Sequence, residues 1–424
     1  MDNNRINQLL LTLLFLFLHV GLYSQKLVSK PFIGHTTRHE INVWCMFKKT
    51  AVVYLKIDGQ AAKPYLYKKE HSFRKYLPVN AQFDRLSHNH VYHIQYSFDN
   101  KDFYPLISAH TTSDSIGDFS FLAGSCAFIG TGFNRAIKPF NSLKIFKTMT
   151  NDSTDFMAWL GDNLYYVLQR QNYKAQLKRN IKTRLNKKLS GFLHSRHQYA
   201  IWDDHDYGTN NSDGSFKYKE SSLTVFQQFW PNPKNDSFNY FTFRQQDCQF
   251  FMLDDRYNNE QENIVLGDRQ LHWLENELLQ STGTFKFICI GMQALNPLSK
   301  KECFYKTADE YKRLIAFIKE HHITGVLFIS GDRHHAELMK IKETDLYPLY
   351  DFTTSPLTMY PVKIGKKSSE FINPYKLPGT YFPSYNYGKI SVTGQAEKRT
   401  CRIELKNKRG MVIWSYEIPA DELK

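Results

Sequence analysis

The chain has 424 residues, 42% of them hydrophobic and 23% charged. This is the balance of a globular protein with room for two or three domains, and it excludes a disordered or collagen-like chain. Six scattered cysteines without a CxxC pair exclude a small disulfide scaffold. The net charge of +14 favours anionic partners, but no base-reading module accompanies it, so sequence-specific nucleic-acid binding is not expected.

Residues 1–24 read as a secretory signal, with Arg5 as the basic region, an apolar run over 9–18 and cleavage after Ser24. That run is too short for an ordinary membrane span, and nothing later is longer. The expectation is therefore an exported protein, periplasmic, cell-surface or extracellular, with no transmembrane span once the signal is removed. Its oligomeric state is not legible. Residues 26–112 read as an all-β domain, a sandwich of immunoglobulin or fibronectin type. There, 52–57 is a strand followed by the hairpin turn Asp58-Gly59, and 91–98 alternates up to a turn at Asp99-Asn100. His88, His90 and His93 read as surface histidines of this domain, and 111–115 as a linker.

From Phe119 onward strands and helices alternate, which predicts an α/β layered domain over 118–424. Strands are expected at 119–123, 156–160, 198–202, 249–253, 285–290 and 325–330, and helices at 268–280 and 308–320. The stretch 174–188 carries seven basic residues, and Leu177, Ile181, Leu185 and Leu189 recur every four residues. It reads as one amphipathic helix, with its basic side either simply solvated or forming a positive rim for anionic substrate. Residues 388–418 return to β, with a turn at 408–410. The Pro- and Gly-rich stretch 360–383 reads as a long loop, a wall or lid over a site.

Three of the strands end in residues that bind metals. Leu160 runs into Gly161-Asp162, Ile201-Trp202 into Asp203-Asp204-His205-Asp206, and Ser330 into Gly331-Asp332-Arg333-His334-His335. Buried charges must be paired or hold a cation, so these strand ends predict a metal site at the carboxyl edge of a sheet. Hydrolysis of a phosphate ester needs an activated hydroxide and positive charge on the phosphate oxygens, and two neighbouring metals supply both. Asp162 suits a bridging carboxylate, and Cys126, Asp204 and His334 can complete two ligand sets. His205 is placed to face substrate and assist the leaving oxygen. Arg256 either binds phosphate as a planar fork or pairs with Asp254 or Asp255. Asp203 and Asp206 are each read as a ligand or as a partner orienting His205. Asn210 and Asn211 complete the site or merely form a turn, and Gln293 is a candidate pocket residue.

Gly-Ser-Cys at 124–126, Gly-Asp-x-x-Tyr at 161–165, Trp-Asp-Asp-His-Asp at 202–206 with Asn210-Asn211, Leu-Asp-x-Arg at 253–256 and Gly-Asp-x-His at 331–334 occur in that order. Together they resemble the PhoD-like alkaline phosphatases, a branch of the calcineurin-like metallophosphoesterases related to purple acid phosphatases. The resemblance covers about residues 119–395, and the β domain is similar to that family's N-terminal domain. It implies a four-layer αββα fold. It also implies Tyr165 and Cys126 as ligands of a ferric ion, with Asp162 bridging to Ca2+ or another divalent ion (Zn, Mn or Mg) completed by Asp204, Asn211 or His334. Asp206-Tyr207-Gly208 and Arg333-His334-His335 depart from better-known members. The implied function is metal-dependent hydrolysis of phosphate esters by an exported phosphatase. A phospholipase D-type phosphodiesterase acting on lipid or polymer is the alternative, and a non-catalytic ligand-binding surface protein on the same fold is the rival class.

Overall fold

The computed structural model describes residues 25–71, 73–113, 116–129, 143–166, 171–235, 237–259, 263–395 and 398–424. The expected signal at 1–24, and Asp114 and Ser115 of the expected linker, lie outside the described residues.

The strand Ile41–Lys48 carries the apolar run 43–47 and is buried at seven of its eight residues, because both of its faces are covered. Val43, Cys45 and Phe47 face a core enclosed by two antiparallel sheets. One sheet orders Lys26–Thr36, Ile41–Lys48 and Tyr76–Phe83; the other orders Lys63–Leu66, Val52–Ile57, Val91–Ser97 and Tyr104–His110. The hairpin after Ile57 turns at Gly59, whose φ of 74° needs a residue without a Cβ. Trp44 and Met46 alternate to the opposite face, where with Phe32 they join a second core shared with the α/β part. The sandwich therefore does not stand apart from the rest of the chain. His88, His90 and His93 are exposed on it, as expected.

The α/β part holds two six-stranded sheets. The first orders His197–Ile201, Phe156–Leu160, Phe119–Gly124, Asn386–Thr393, Thr400–Asn407 and Val412–Pro419. The second orders Phe241–Gln245, Cys248–Met252, Lys286–Ile290, Val326–Ser330, Leu349–Thr353 and Glu337–Ile341. Their facing surfaces meet in an aromatic core, in which the Phe121 and Phe156 rings stack at 4.9 Å and Phe243 and Phe250 at 4.7 Å. Helices cover both outer faces: Tyr173–Arg184, Lys187–His194 and Lys219–Phe229 on the first sheet, Gly267–Gln280 and Ala308–Glu320 on the second. The result is the expected αββα stack. In each sheet the strands that approach the site are parallel, so their carboxyl ends lie at one edge.

The single basic helix expected over 174–188 is two helices. Asn186 breaks it, because its side chain accepts from the backbone N–H of Lys188 and Leu189 and so starts a new helix. Its basic residues are not uniformly solvated either. Arg184 is buried, lies over the Trp230 ring at 4.3 Å and donates to the carbonyl of Phe229. All six cysteines are buried and unbridged.

Candidate metal centre and active-site pocket

Each parallel strand hands its last residues to a tight turn at the shared edge. Cys126, Asp162, Asn211, Asp332 and His334 all adopt positive φ, between 54° and 60°. Such backbone costs a residue with a Cβ about 1 kcal/mol or more, and strain of this kind gathers where function requires it. Gly161, at φ 82°, lets the strand ends approach closely, since a Cβ there would fall 2.4 Å from the Cβ of Asp203.

Four strand ends thereby converge. The sulfur of Cys126, a carboxylate oxygen of Asp162 and a ring nitrogen of His334 lie within 4.8 Å of one another, and Asp162, Asp204 and His205 form a second such group. The two groups share Asp162, the geometry a bridging carboxylate requires. The Tyr165 hydroxyl donates to Asp162 Oδ2 at 2.7 Å, and the backbone N–H of His205 to Asp162 Oδ1 at 3.1 Å. The His205 ring lies 4.2 Å from the Tyr165 ring. The backbone N–H of Asn211 donates to Asp204 Oδ2 at 2.6 Å.

The electrostatics call for a cation. The Cys126 thiol, the Asp162 carboxyl and the Tyr165 phenol are all pushed well above their ordinary pKa ranges. Burial is the first cause for all three, and repulsion from neighbouring anions follows: Asp162 and Asp332 for the thiol, Asp204 and Asp206 for Asp162, and Asp162 and Cys126 for the phenol. Asp204 is held below the usual carboxylate range: burial opposes this, but Arg256, His205 and the Asn211 N–H outweigh it. Its buried Oδ1 finds no hydrogen-bond donor among the described residues. Thiol, phenol, carboxylate and imidazole packed without a neutralising cation between them are the donor set of a metal centre, so the residues present fit one.

The Trp-Asp-Asp-His-Asp run divides its carboxylates among different partners. Asp204 alone turns into the pocket. Asp203 caps the short helix Asp204–Tyr207 and binds Arg256, whose Nε lies 2.6 Å from its Oδ1. Asp206 accepts from the Leu164 backbone at 3.1 Å and from the Asn163 amide at 3.1 Å, fixing the turn that carries Asp162 and Tyr165. Asp203 and Asp206 thus serve Arg256 and the backbone, where the sequence suggested His205 as the partner of one of them. Arg256 is buried and spends its fork on Asp203 and on Glu302, 2.9 Å away, with Asp255 at 3.7 Å and its Nη1 without a hydrogen-bond partner. It does not line the pocket. Asp254, the other partner considered for Arg256, takes the Trp202 indole instead.

Asn210 and Asn211 both line the pocket, as does His334. His335 turns towards Glu337, 3.6 Å away, and against the Tyr381 ring. Gln293 is fully buried behind the wall, bonded to Arg333, Glu337 and Thr353. Sequence reasoning missed Ser355. Its hydroxyl donates to Cys126 Sγ at 3.2 Å and accepts the His334 N–H at 2.8 Å, tying two candidate ligands together. The available signal was Thr-Ser-Pro directly after the buried strand Leu349–Thr353. It also missed the Arg333–Glu370 ion pair at 2.7 Å, which pins the 360–383 loop against the second sheet.

These groups form the floor of a cavity of about 1240 Å³. Tyr360, Val362, Lys363 and Glu370 of the loop make one wall, and Lys300, Lys301 and Lys306 stand on the rim beside it. The loop is therefore a wall, one of the two forms expected of it.

A comparison with curated protein sequences finds no match. Among solved structures, one described as the structure of PhoD superposes with a TM-score of 0.71 at 16% identity, covering 92% of this chain and 88% of that one. Vps29 from Chaetomium thermophilum covers 71% of this chain and 97% of its own at 8% identity, with a TM-score of 0.29 that is too low to bear on the fold. The sequence model of the PhoD-like phosphatases matches residues 121–403, two thirds of the chain and every strand end described above. With that match and this geometry together, the chain belongs to the PhoD-like phosphatase family.

Proposed function

We propose that this chain is an exported, metal-dependent phosphoesterase acting at the floor of this pocket. The observation that carries the reading is the pair of donor groups sharing the buried Asp162. Cys126, Tyr165, His334 and Asp162 would hold one metal, Fe3+ by donor chemistry. Asp162 and Asp204, with the Asn211 side chain, would hold Ca2+ or another divalent ion. Bound there, the metals would supply positive charge to the phosphate and acidify a water at neutral pH.

The protein's own groups do the rest. Burial lowers the pKa of His205 against the opposing pull of Asp204 and Asp332. The ring is then neutral near pH 7 and offers a single N–H to the leaving oxygen. Arg256 acts as a positioning residue, holding Asp203 and through it the turn that presents Asp204. The cavity exceeds the usual range of small-ligand pockets, roughly 300–1,000 Å³. That favours a phosphodiester or a bulky monoester over a small one. Cleavage after Ser24, and division of the mature chain into a sandwich at 26–112 and a catalytic domain at 118–424, belong to the same proposal.

The test is elemental analysis of the purified mature protein and of Asp162→Ala, with chromogenic monoester and diester hydrolysis in parallel. The expected result is bound iron and a second metal in the wild type, with both metal and turnover lost in the variant. Full turnover in Asp162→Ala refutes the shared-carboxylate site. A metal-free wild type that stays inert after reconstitution with iron and calcium favours the non-catalytic binding protein.

A further inference from the structure

The wall formed by the 360–383 loop has a surface chemistry that hydrolysis of a soluble ester leaves unexplained. Tyr360, Val362 and Ile372 expose 45%, 40% and 68% of their area to solvent. Between them stand Lys363, Lys366 and Lys367, all exposed. Across the mouth, the exposed Lys300, Lys301 and Lys306 continue the same rim. The two segments are fastened together: the Lys300 N–H donates to Glu370 Oε1 at 2.8 Å, and the Asn373 amide to Asn296 Oδ1 at 2.8 Å. Ile372 belongs to the turn begun by Ser368, its N–H bonding the Ser368 carbonyl, and Ser368 lines the cavity. Tyr360, Val362, Lys363, Lys300, Lys301 and Lys306 therefore border one opening, and Lys366, Lys367 and Ile372 lie on the same loop just outside it.

No acid among the described residues is paired with a lysine of this rim. Glu370 is the only acidic residue in 359–384, and it is buried on Arg333. Glu302, on the facing segment, is engaged by Arg256.

We propose that this rim docks on an anionic lipid bilayer, and that the site, if the phosphoesterase reading holds, draws the phosphodiester of a phospholipid head group from that surface. Lysines alone would suit any soluble polyanion. The exposed aliphatic side chains decide between the two, because they gain nothing from a polyanion in water, whereas at a bilayer they enter the acyl boundary while lysines meet the lipid phosphates. Tyr360 suits the head-group level, with an apolar ring and a polar hydroxyl. No helix among the described residues is long and apolar enough to cross a membrane.

The test uses the full mature protein and vesicles of phosphatidylcholine with and without phosphatidylglycerol, read by co-sedimentation and by head-group release. The variant combines Ile372→Ser, Lys366→Glu and Lys367→Glu, three exposed positions that do not line the cavity. Wild type is expected to bind the anionic vesicles at least about tenfold more tightly than the neutral ones, and more weakly as salt rises. The variant is expected to lose that preference and head-group release together, while hydrolysing a soluble chromogenic diester at the wild-type rate. Equal binding by variant and wild type overturns the proposal. So does binding of soluble polyphosphate without vesicle binding, which would assign the rim to a soluble polymer. Vesicle binding by a wild type that cleaves the soluble diester but releases no head group refutes delivery. If the wild type binds vesicles and cleaves neither substrate, docking stands and the phosphoesterase reading falls.

Discussion

Arg256→Met separates two roles for this arginine. The side chain is only 1% exposed, and its Nη2 lies 2.5 Å from Asp203 Oδ1, itself fully buried. With an effective dielectric of about 20, Coulomb's law gives on the order of 6 kcal/mol of attraction at that distance. Part of this offsets the desolvation of the two ions. Burial already pushes the Asp203 carboxyl well above its usual range and Asp255 up to about 7, against the pull of Arg256, so removing the guanidinium strips both of the charge that offsets their burial; the net loss for a broken buried pair is about 3–5 kcal/mol. Glu302 adds little, because it is partly exposed and screened. Arg256→Met is therefore expected to lower unfolding stability by about 3–5 kcal/mol, measured by urea denaturation of the protein loaded with metal. A double variant Arg256→Met/Asp203→Leu should recover much of it, since the orphaned charge is removed with its partner. A phosphate-binding Arg256 would behave differently: KM would rise at least about tenfold while stability stayed within about 0.5 kcal/mol. That second pattern would refute the positioning role.

Other consequences can be tested separately. His35 is buried where the sandwich meets the first sheet, and burial, then His197, lower its pKa from 6.5 to about 4. Folding thus favours the neutral ring, and the sign follows: the contribution is complete above pH 6.5 and is lost as pH falls towards 4. Stability should drop by about 1.4 kcal/mol per pH unit in that window, and His35→Phe should flatten the slope in denaturation at stepped pH. An unchanged slope would place the titrating group elsewhere. Asn186→Ala removes a cap that satisfies two backbone N–H groups. It should cost about 1 kcal/mol of unfolding free energy in urea denaturation, and no loss would show that the helix break is set by packing alone. With iron bound, phenolate ligation by Tyr165 should contribute a visible charge-transfer band beside that of the Cys126 thiolate; Tyr165→Phe should remove the phenolate contribution while leaving far-UV circular dichroism intact, and a spectrum identical to that of the wild type would remove Tyr165 from the ligand set.

Much of this was legible because it is local. An apolar run that stops at Gly-Asp or at Trp-Asp-Asp marks a buried strand and the turn after it, and Phe156–Leu160 and Val326–Ser330 fall where the pattern put them. Opaque features depend on contacts between distant positions. Arg256 meets Asp203 across 53 residues, and Ser355 meets Cys126 across 229; no spacing in the sequence encodes either. The break at Asn186 was hidden by periodicity: Leu177, Ile181, Leu185 and Leu189 keep the four-residue repeat across it, while the side-chain cap that ends it is a single residue's choice. The back face of Ile41–Lys48 was hidden in another way. The apolar run 43–47 states that both faces are buried, but not that one of them is buried against another sheet's helices.

The run from Asp203 to Asp206 shows how one short segment supplies several functions. Three carboxylates within four residues would repel one another if they shared a face. They lie at the start of a helical turn, where successive side chains diverge by about 100°. Asp203 points to Arg256, Asp204 to the pocket, and Asp206 back to the turn that carries Asp162. Each meets its own compensation: an arginine, the proposed metal and a set of backbone N–H groups. Only Asp204 depends on an ion from outside the chain. Its removal should therefore cost metal binding with little loss of fold, whereas removing Asp203 or Asp206 should cost fold first. The opposite ranking would mean that the pocket, and not the arginine or the backbone, holds the segment in place.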